Sequence, residues 1–449
     1  MESQINWEEE GASCVSLLRD LIRIPTVNPP GNERPAAERV AEFLRGAGVE
    51  PKIVEAEPGR ASLVARYAGT GELPPLLLNA HLDVVEADEA TWTRPPFSAD
   101  VADGCIWGRG AVDMKNMVSM SACVLALLAR TKPRLRRDVI FAAVADEETG
   151  SSKGAHFLVS EHPDLVRAEY ALGELGGFSL HFMGRVFYPI QVAEKGQVWL
   201  RADFAGEAGH GSMPREDSAV VKAAEAIVRI GKKRLPFHPT DVVRRFLREL
   251  ARGLPHPARL VLPRLTTPWL AGLLLDRAIA DPAIRRTFAA YLSNTASPTV
   301  VRAGAKTNVI PARASFEIDG RTLPGQTEDD FIREIRRVIG EEALLDVLAS
   351  QPPVVTPVDT PMFRCLADVV RERDPGAIPL PTMIPGFTDA KAYHRLGTKY
   401  YGFAPIRFAP TDGISFAEIY HGKNERIPEA GLRWGLRTLW DAVVRFTTT

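Results

Sequence analysis

Two runs of consecutive apolar residues, PLLLNA before His81 and VIFAAVA before Asp146, constrain this chain more than any other feature. A strand that alternates apolar and polar residues can leave one face in water. A strand apolar almost throughout has to be covered on both faces, the condition of strands in a parallel sheet flanked by helices. The surrounding segments fit that arrangement. SLVARY and AEYALG read as further strands. Val15, Leu18, Leu21 and Ile22 have helical spacing ahead of Pro25, and a second helix runs from about Pro35 to Leu44 and stops at Gly46 and Gly48. DMKNMVSMSACVLALLAR reads as a buried helix and SSKGAHFLVSEH as a short one. Strands alternating with helices predict an α/β fold, a mostly parallel sheet with helices on both faces.

The pattern changes at Lys195. In KGQVWLRADFAG, Val198, Leu200, Ala202 and Phe204 alternate with Gln197, Trp199, Arg201 and Asp203, a strand with one wet face. The helix SAVVKAAEAIVRIGKK, the alternating strand RASFEIDGR, the capped helix TEDDFIREIRRVIGEE and the strand ALLDVLAS complete a two-layer α+β module of ferredoxin-like order. With 449 residues the chain is too long for one ordinary core. The expectation is a catalytic domain formed by 1–194 and 351–449, with 195–350 inserted into it. Within the insertion, about 233–300 is rich in proline and arginine and reads as a helical elaboration.

A formal net charge of −1 gives no bulk field toward nucleic acid or an acidic membrane, so neither is expected as a partner. Cys14, Cys105, Cys123 and Cys365 form no CxxC pair and read as buried apolar residues. The start of the chain, MESQINWEEEGAS, lacks the basic and apolar segments of a secretory signal, and the most span-like stretch, near 260–278, is broken by prolines and arginine. The expected compartment is the cytoplasm.

The chemistry-bearing residues collect where strands end. His81 closes one apolar run, Asp146, Glu147 and Glu148 follow another, and Glu174 follows AEYALG; Asp113 lies in the glycine-bearing turn GRGAVDMKN. Ligands of open α/β sheets bind beyond the carboxyl ends of the strands, so separate segments would deliver these groups to one edge. Singly, each has an ordinary explanation: a satisfied histidine, a solvated acidic run, a helix cap at Asp113. Jointly, acids crowded beyond buried strands repel one another unless a cation neutralises them.

The segments HLDVVEADEATWTRPPF, DGCIWGRGAVDMKN, ADEETGS, GELGGF, GHGSMP, KTNVIPARASFEIDGRTLPG, GFTDA and HGKNERI, in this order and over nearly the whole chain, resemble the dinuclear zinc hydrolase family of acetylornithine deacetylase, succinyl-diaminopimelate desuccinylase, aminoacylase and glutamate carboxypeptidase. The resemblance implies a zinc exopeptidase-like catalytic domain and a lid that also dimerises. It implies two Zn2+ per subunit, with Co2+ or Mn2+ as substitutes, held by His81, Asp113, Glu148, Glu174 and His421, with Asp113 shared. Asp83 would orient the His81 ring by accepting its second N–H. Glu147 would be the general base. His210 would reach the partner subunit's active site and bind the developing oxyanion, Asn308 and Arg321 would hold the substrate carboxylate, and the Gly386 loop would approach the substrate. The implied protein is a homodimeric amide hydrolase acting on N-acyl amino acids or short peptides beside a free carboxylate. A non-peptide amide or carbamoyl substrate, or a catalytically silent binding protein on the same fold, are the alternatives. His156, His162, His181, His238, His256 and His394 match no motif and are expected to be structural.

Overall fold

In the computed structural model of the chain, residues 5–414 and 416–449 are described. The chain divides into two compact units. The first takes the chain up to Val192, with Thr356–Pro381 and Thr388–Thr449; the second comprises Ala193–Val355 and the short segment Thr382–Phe387.

The sheet of the first unit runs in the order Lys52–Glu57, Arg60–Tyr67, Val139–Val144, Leu76–His81, Tyr170–Gly173, Lys399–Gly402, Arg185–Glu194. The four strands from Val139–Val144 to Lys399–Gly402 are mutually parallel, and the outer pairings are antiparallel. The apolar runs occupy this parallel centre, where every residue of Leu76–His81 and of Val139–Val144 is buried. One face, with Leu77, Ile140, Ala142 and Val144, packs on the helices Ala155–Glu161 and Ala390–His394 through Leu158, Val159, Ala390 and Tyr393. Lys115–Thr131 covers the opposite face. It is buried all round from Lys115 to Leu128 because Trp7–Ile22 and Glu429–Thr448 pack outside it. A separate small sheet pairs Arg426–Pro428 with Cys105–Trp107, bringing the chain after His421 beside the strand that leads to Asp113.

In the second unit, the antiparallel sheet has the order Thr295–Ala303, Arg313–Thr322, Gly196–Ala205, Leu344–Gln351. Val198, Leu200, Ala202 and Phe204 face Ala314, Phe316 and Ile318 along it and pack on the helices Ala219–Lys232 and Glu328–Ile339. The other face is wet at Arg201 and Asp203, which pair with each other, but Gln197 at the strand's start is buried. Thr327 and Asp330 cap the second helix reciprocally. The elaboration consists of the helices Asp241–Gly253, Ala258–Arg264, Pro268–Ala278 and Pro282–Leu292, between the first helix and the second strand. It runs up to the edge strand Thr295–Ala303, whose pairing has an irregularity between Pro298 and Val301. Among the described residues, no helix is long and apolar enough to cross a membrane.

Candidate metal centre

Because the central strands of the first unit are parallel, their carboxyl ends share an edge. His81, level with Val144 on the neighbouring strand, ends one of them. Two residues past Val144 the chain turns through Asp146 into the short helix Glu147–Thr149. Glu174 directly follows Tyr170–Gly173. The turn carrying Asp113 needs its glycine: Gly110 has a φ of +86°, and a Cβ there would lie 2.8 Å from the Val84 side chain and 3.0 Å from that of Lys115. The Asp113–Met114 peptide is cis.

These residues form two groups joined at Asp113. His81, Asp113 and Glu174 present ligand atoms within 4.8 Å of one another, and so do Asp113, Glu148 and His421. His81 Nε2 is 3.1 Å from Asp113 Oδ1 and 3.8 Å from Glu174 Oε2. His421 Nε2 is 2.9 Å from Asp113 Oδ2 and 3.3 Å from Glu148 Oε2. The two oxygens of one carboxylate therefore face two different imidazoles. The His81 side chain is fully buried, whereas that of His421 is 48% exposed.

The charges confirm how tightly the acids are held. Burial, followed by the Glu174 carboxylate, pushes the Glu147 carboxyl well up, and burial does the same to Glu174. Burial also acts on Asp113, but hydrogen bonds from His421 and His81 outweigh it and hold its pKa below the usual carboxylate range. Hydrogen bonding to Asp113 and then Glu148 raises His421 to about 10. Glu148 Oε1 is buried with no hydrogen-bond donor among the described residues. Carboxylate oxygens crowded beside imidazole nitrogens in two groups, one of those oxygens without a donor and no thiolate among them, make a donor set that fits a pair of divalent cations such as zinc.

Surrounding groups fix the ligands in place. His81 Nδ1 lies 2.9 Å from the main-chain oxygen of Asp83 and 3.5 Å from its carboxylate. The ring N–H thus faces Asp83 as expected, with the main-chain oxygen nearer than the carboxylate. The Asp83 carboxylate instead accepts the N–H groups of Glu147 (3.2 Å) and Glu148 (3.1 Å) and the Asn28 amide (2.8 Å), so it shapes the turn that carries both glutamates. Asp146, at a φ of +67°, is locked there by Arg60, Thr149, Ser152 and the N–H of Lys153. Leu175 and His421 also have positive φ, 63° and 55°, so three residues in or beside the clusters sit in a region unfavourable to side chains.

Glu425 and Arg109 have no counterpart in the sequence reading. The fully buried Glu425 carboxylate accepts the N–H groups of Gly110 (3.0 Å), Val112 (2.7 Å) and Asp113 (3.0 Å) and pairs with Arg109 at 2.8 Å. Arg109 also donates to the Gly422 carbonyl at 3.0 Å. One ion pair therefore ties the Asp113 turn to the loop behind His421. Its only trace in the sequence is a glutamate inside HGKNERI and an arginine inside GRGAVD. Tyr420 adds a hydroxyl that donates to Glu174 at 3.3 Å.

The remaining expected residues, His210, Asn308, Arg321 and Gly386, belong to the second unit. His210 pairs with Val309 in a two-residue ribbon, and the N–H of Gly211 donates to the Asn308 carbonyl, so His210 and Asn308 are neighbours. His210 is exposed, with Ser212 Oγ 2.8 Å from its Nδ1. Arg321 donates to both oxygens of Asp319, lies over the Phe387 ring and keeps a buried Nη1 without a partner. At Gly386 a Cβ would meet nothing within 4 Å.

The donor set defines a candidate centre for two cations, and the matches that follow supply the class, metal-dependent hydrolases of amide bonds. The chain belongs to peptidase family M20/M25/M40, whose model matches residues 77–445. It is 31% identical over 438 residues to the human N-fatty-acyl-amino acid synthase/hydrolase PM20D1, covering 94% of this chain and 85% of that protein. It is 28% identical over 435 residues to human aminoacylase-1, covering 94% and 92%. Among solved structures it resembles the M20 family metallo-carboxypeptidase Sso-CP2 of Sulfolobus solfataricus, with a TM-score of 0.71 at 16% identity over 96% of this chain and 98% of that one. It also resembles YxeP of Bacillus subtilis, described as a dinuclear metal binding peptidase, with a TM-score of 0.60 at 14% identity over 98% and 99%.

Proposed function

We propose that the protein uses two zinc ions, replaceable by cobalt or manganese, to hydrolyse the amide bond of N-acyl amino acids or short peptides next to a free carboxylate. The observation that carries this reading is the single Asp113 carboxylate facing two imidazoles, with the buried Glu147 beside Glu148 but outside both ligand groups. His81, Asp113 and Glu174 would hold one cation, and Asp113, Glu148 and His421 the other. What the metals supply when bound is Lewis acidity, enough to lower the pKa of a water to roughly 7 and to polarise a carbonyl. Glu147 accepts the proton of the attacking water on its carboxylate and returns it to the nitrogen as the C–N bond breaks. The names of the relatives, an N-fatty-acyl-amino acid hydrolase and an aminoacylase, support the substrate class.

In the same reading Arg321 and Asn308 anchor the substrate carboxylate, His210 stabilises the oxyanion from a partner subunit and the Gly386 loop lines the substrate. The unmatched Nη1 of Arg321 is a donor free for such an anion. A homodimer formed through the second unit and a cytoplasmic site of action complete the proposal. The four buried, unpaired cysteines favour a reducing compartment.

The test is a panel of acyl amino acids and dipeptides, assayed with the metallated protein. Glu147→Gln should lower kcat by at least about 100-fold with metal content unchanged; a variant that keeps most of its rate removes Glu147 from the base role. Arg321→Ala should raise KM by roughly tenfold or more, with a smaller change in kcat. An unchanged KM removes Arg321 from carboxylate capture.

A further inference from the structure

The helical elaboration of the second unit carries a surface that neither the metal centre nor the unit's own core explains. Pro268–Ala278 buries only Ala271 and Leu275. Trp269, 82% exposed, and Leu273, 55% exposed, stand one turn apart on its outer side, and the exposed Arg277 continues the same row. The preceding helix, Ala258–Arg264, buries Leu262 but leaves Leu260 half exposed beside the exposed Arg259 and Arg264. Asp241–Gly253 sinks Val243, Phe246, Leu247 and Leu250 into the core and turns the row Arg244, Arg248, Arg252 outward. Residues 233–300 hold eleven lysines and arginines against four acids, in a chain whose formal net charge is −1. The near-neutral total thus conceals a strongly basic segment.

From this segregation we infer that the elaboration docks on a membrane surface bearing anionic lipid. Trp269 and Leu273 enter the interface, and Arg277 on their row, with the exposed arginines of the adjoining helices, meets the head groups. An indole has an apolar body and one N–H donor, which suits the boundary between acyl chains and water, and basic residues beside it add attraction to negative lipid. The charge decides between occupants. A second copy of this surface would bring like charges together. A nucleic acid would engage the arginines but leave Leu260 and Leu273 in water. Docking of this kind needs no membrane-crossing helix, and the described residues contain none.

The experiment is co-sedimentation of the full-length metallated protein with vesicles of phosphatidylcholine alone and of phosphatidylcholine mixed with phosphatidylserine. Binding to the mixed vesicles only, weakening as salt is added, is the expected result. Trp269→Ser with Leu273→Ser should weaken it about tenfold or more, and Arg248→Glu with Arg277→Glu likewise, with circular dichroism unchanged. All four side chains are exposed, so the fold should tolerate these changes. The inference is overturned if the protein ignores phosphatidylserine at low salt, or if the variants bind as the parent does. It is equally overturned if the Trp269→Ser, Leu273→Ser variant only dissolves a dimer, or if duplex DNA is retained in preference to vesicles.

Discussion

At Asp113 a single side chain has to serve two neighbours at once, so its position tolerates little error. Glu425 supplies that accuracy by gathering three N–H groups of the turn, those of Gly110, Val112 and Asp113, and Arg109 balances its charge inside the protein. Removing one partner of such a buried pair leaves the other uncompensated. Glu425→Gln should therefore destabilise the first unit by roughly 3–5 kcal/mol in denaturant unfolding. It should also weaken metal binding by about 10-fold or more, because the Asp113 turn loses its anchor. Wild-type stability together with wild-type metal content would refute the clamp. None of this could be read from the sequence, where Glu425 is one acid among fifty-six acidic residues. His81, Glu147 and Glu174 were legible because each follows an apolar run. Asp83 was legible as a participant, but not as the acceptor of two backbone N–H groups, since that depends on how the Asp146 turn closes against it.

Elements repeat this division between pattern and context. The apolar runs and the alternating strands are legible because burial on two faces and burial on one leave different periods in the sequence. The edge strand Thr295–Ala303 is not: it carries a proline and a bulge, and most of its residues are exposed, so no period survives. The helix Ala155–Glu161 holds a titratable group in a comparable silence. Burial, then Arg395 and Lys391, lowers the His156 pKa from 6.5 to about 4. The folded protein therefore holds this ring neutral where the unfolded chain binds a proton. Its contribution to stability is complete above pH 6.5 and is lost as pH falls from there toward 4. Thermal unfolding followed across that window should decline less steeply for His156→Gln than for the parent. Two parallel curves would show that His156 does not set the acid limb.

For the molecule as a whole, the sequence announces an interrupted first unit, because α/β patterning stops near Lys195 and resumes after the inserted strands. Total charge was a poorer guide, since positive residues concentrate in one helical segment while the sum stays near zero. Whole-molecule stability should depend on metal. Burial, with neighbouring carboxylates adding to it, pushes Glu147 and Glu174 up, a crowding of acids that bound cations would relieve with release of protons. At free zinc about 100 times its Kd, the folded state should gain about 2.7 kcal/mol over the chelated protein. Calorimetry in buffers of different ionisation enthalpy should record both the higher Tm and the released protons. An identical Tm with and without chelator would remove the metals from the folding equilibrium.

The unequal exposure of the two imidazoles sets an order of events. In the proposed centre the His81 side chain is fully buried, while that of His421 is 48% exposed. A chelator would reach a cation held by His421 before one held by His81, so dialysis of the metallated protein should dwell at a half-loaded species. Scarcity of metal in the surroundings would then dim the enzyme by stages before it emptied it.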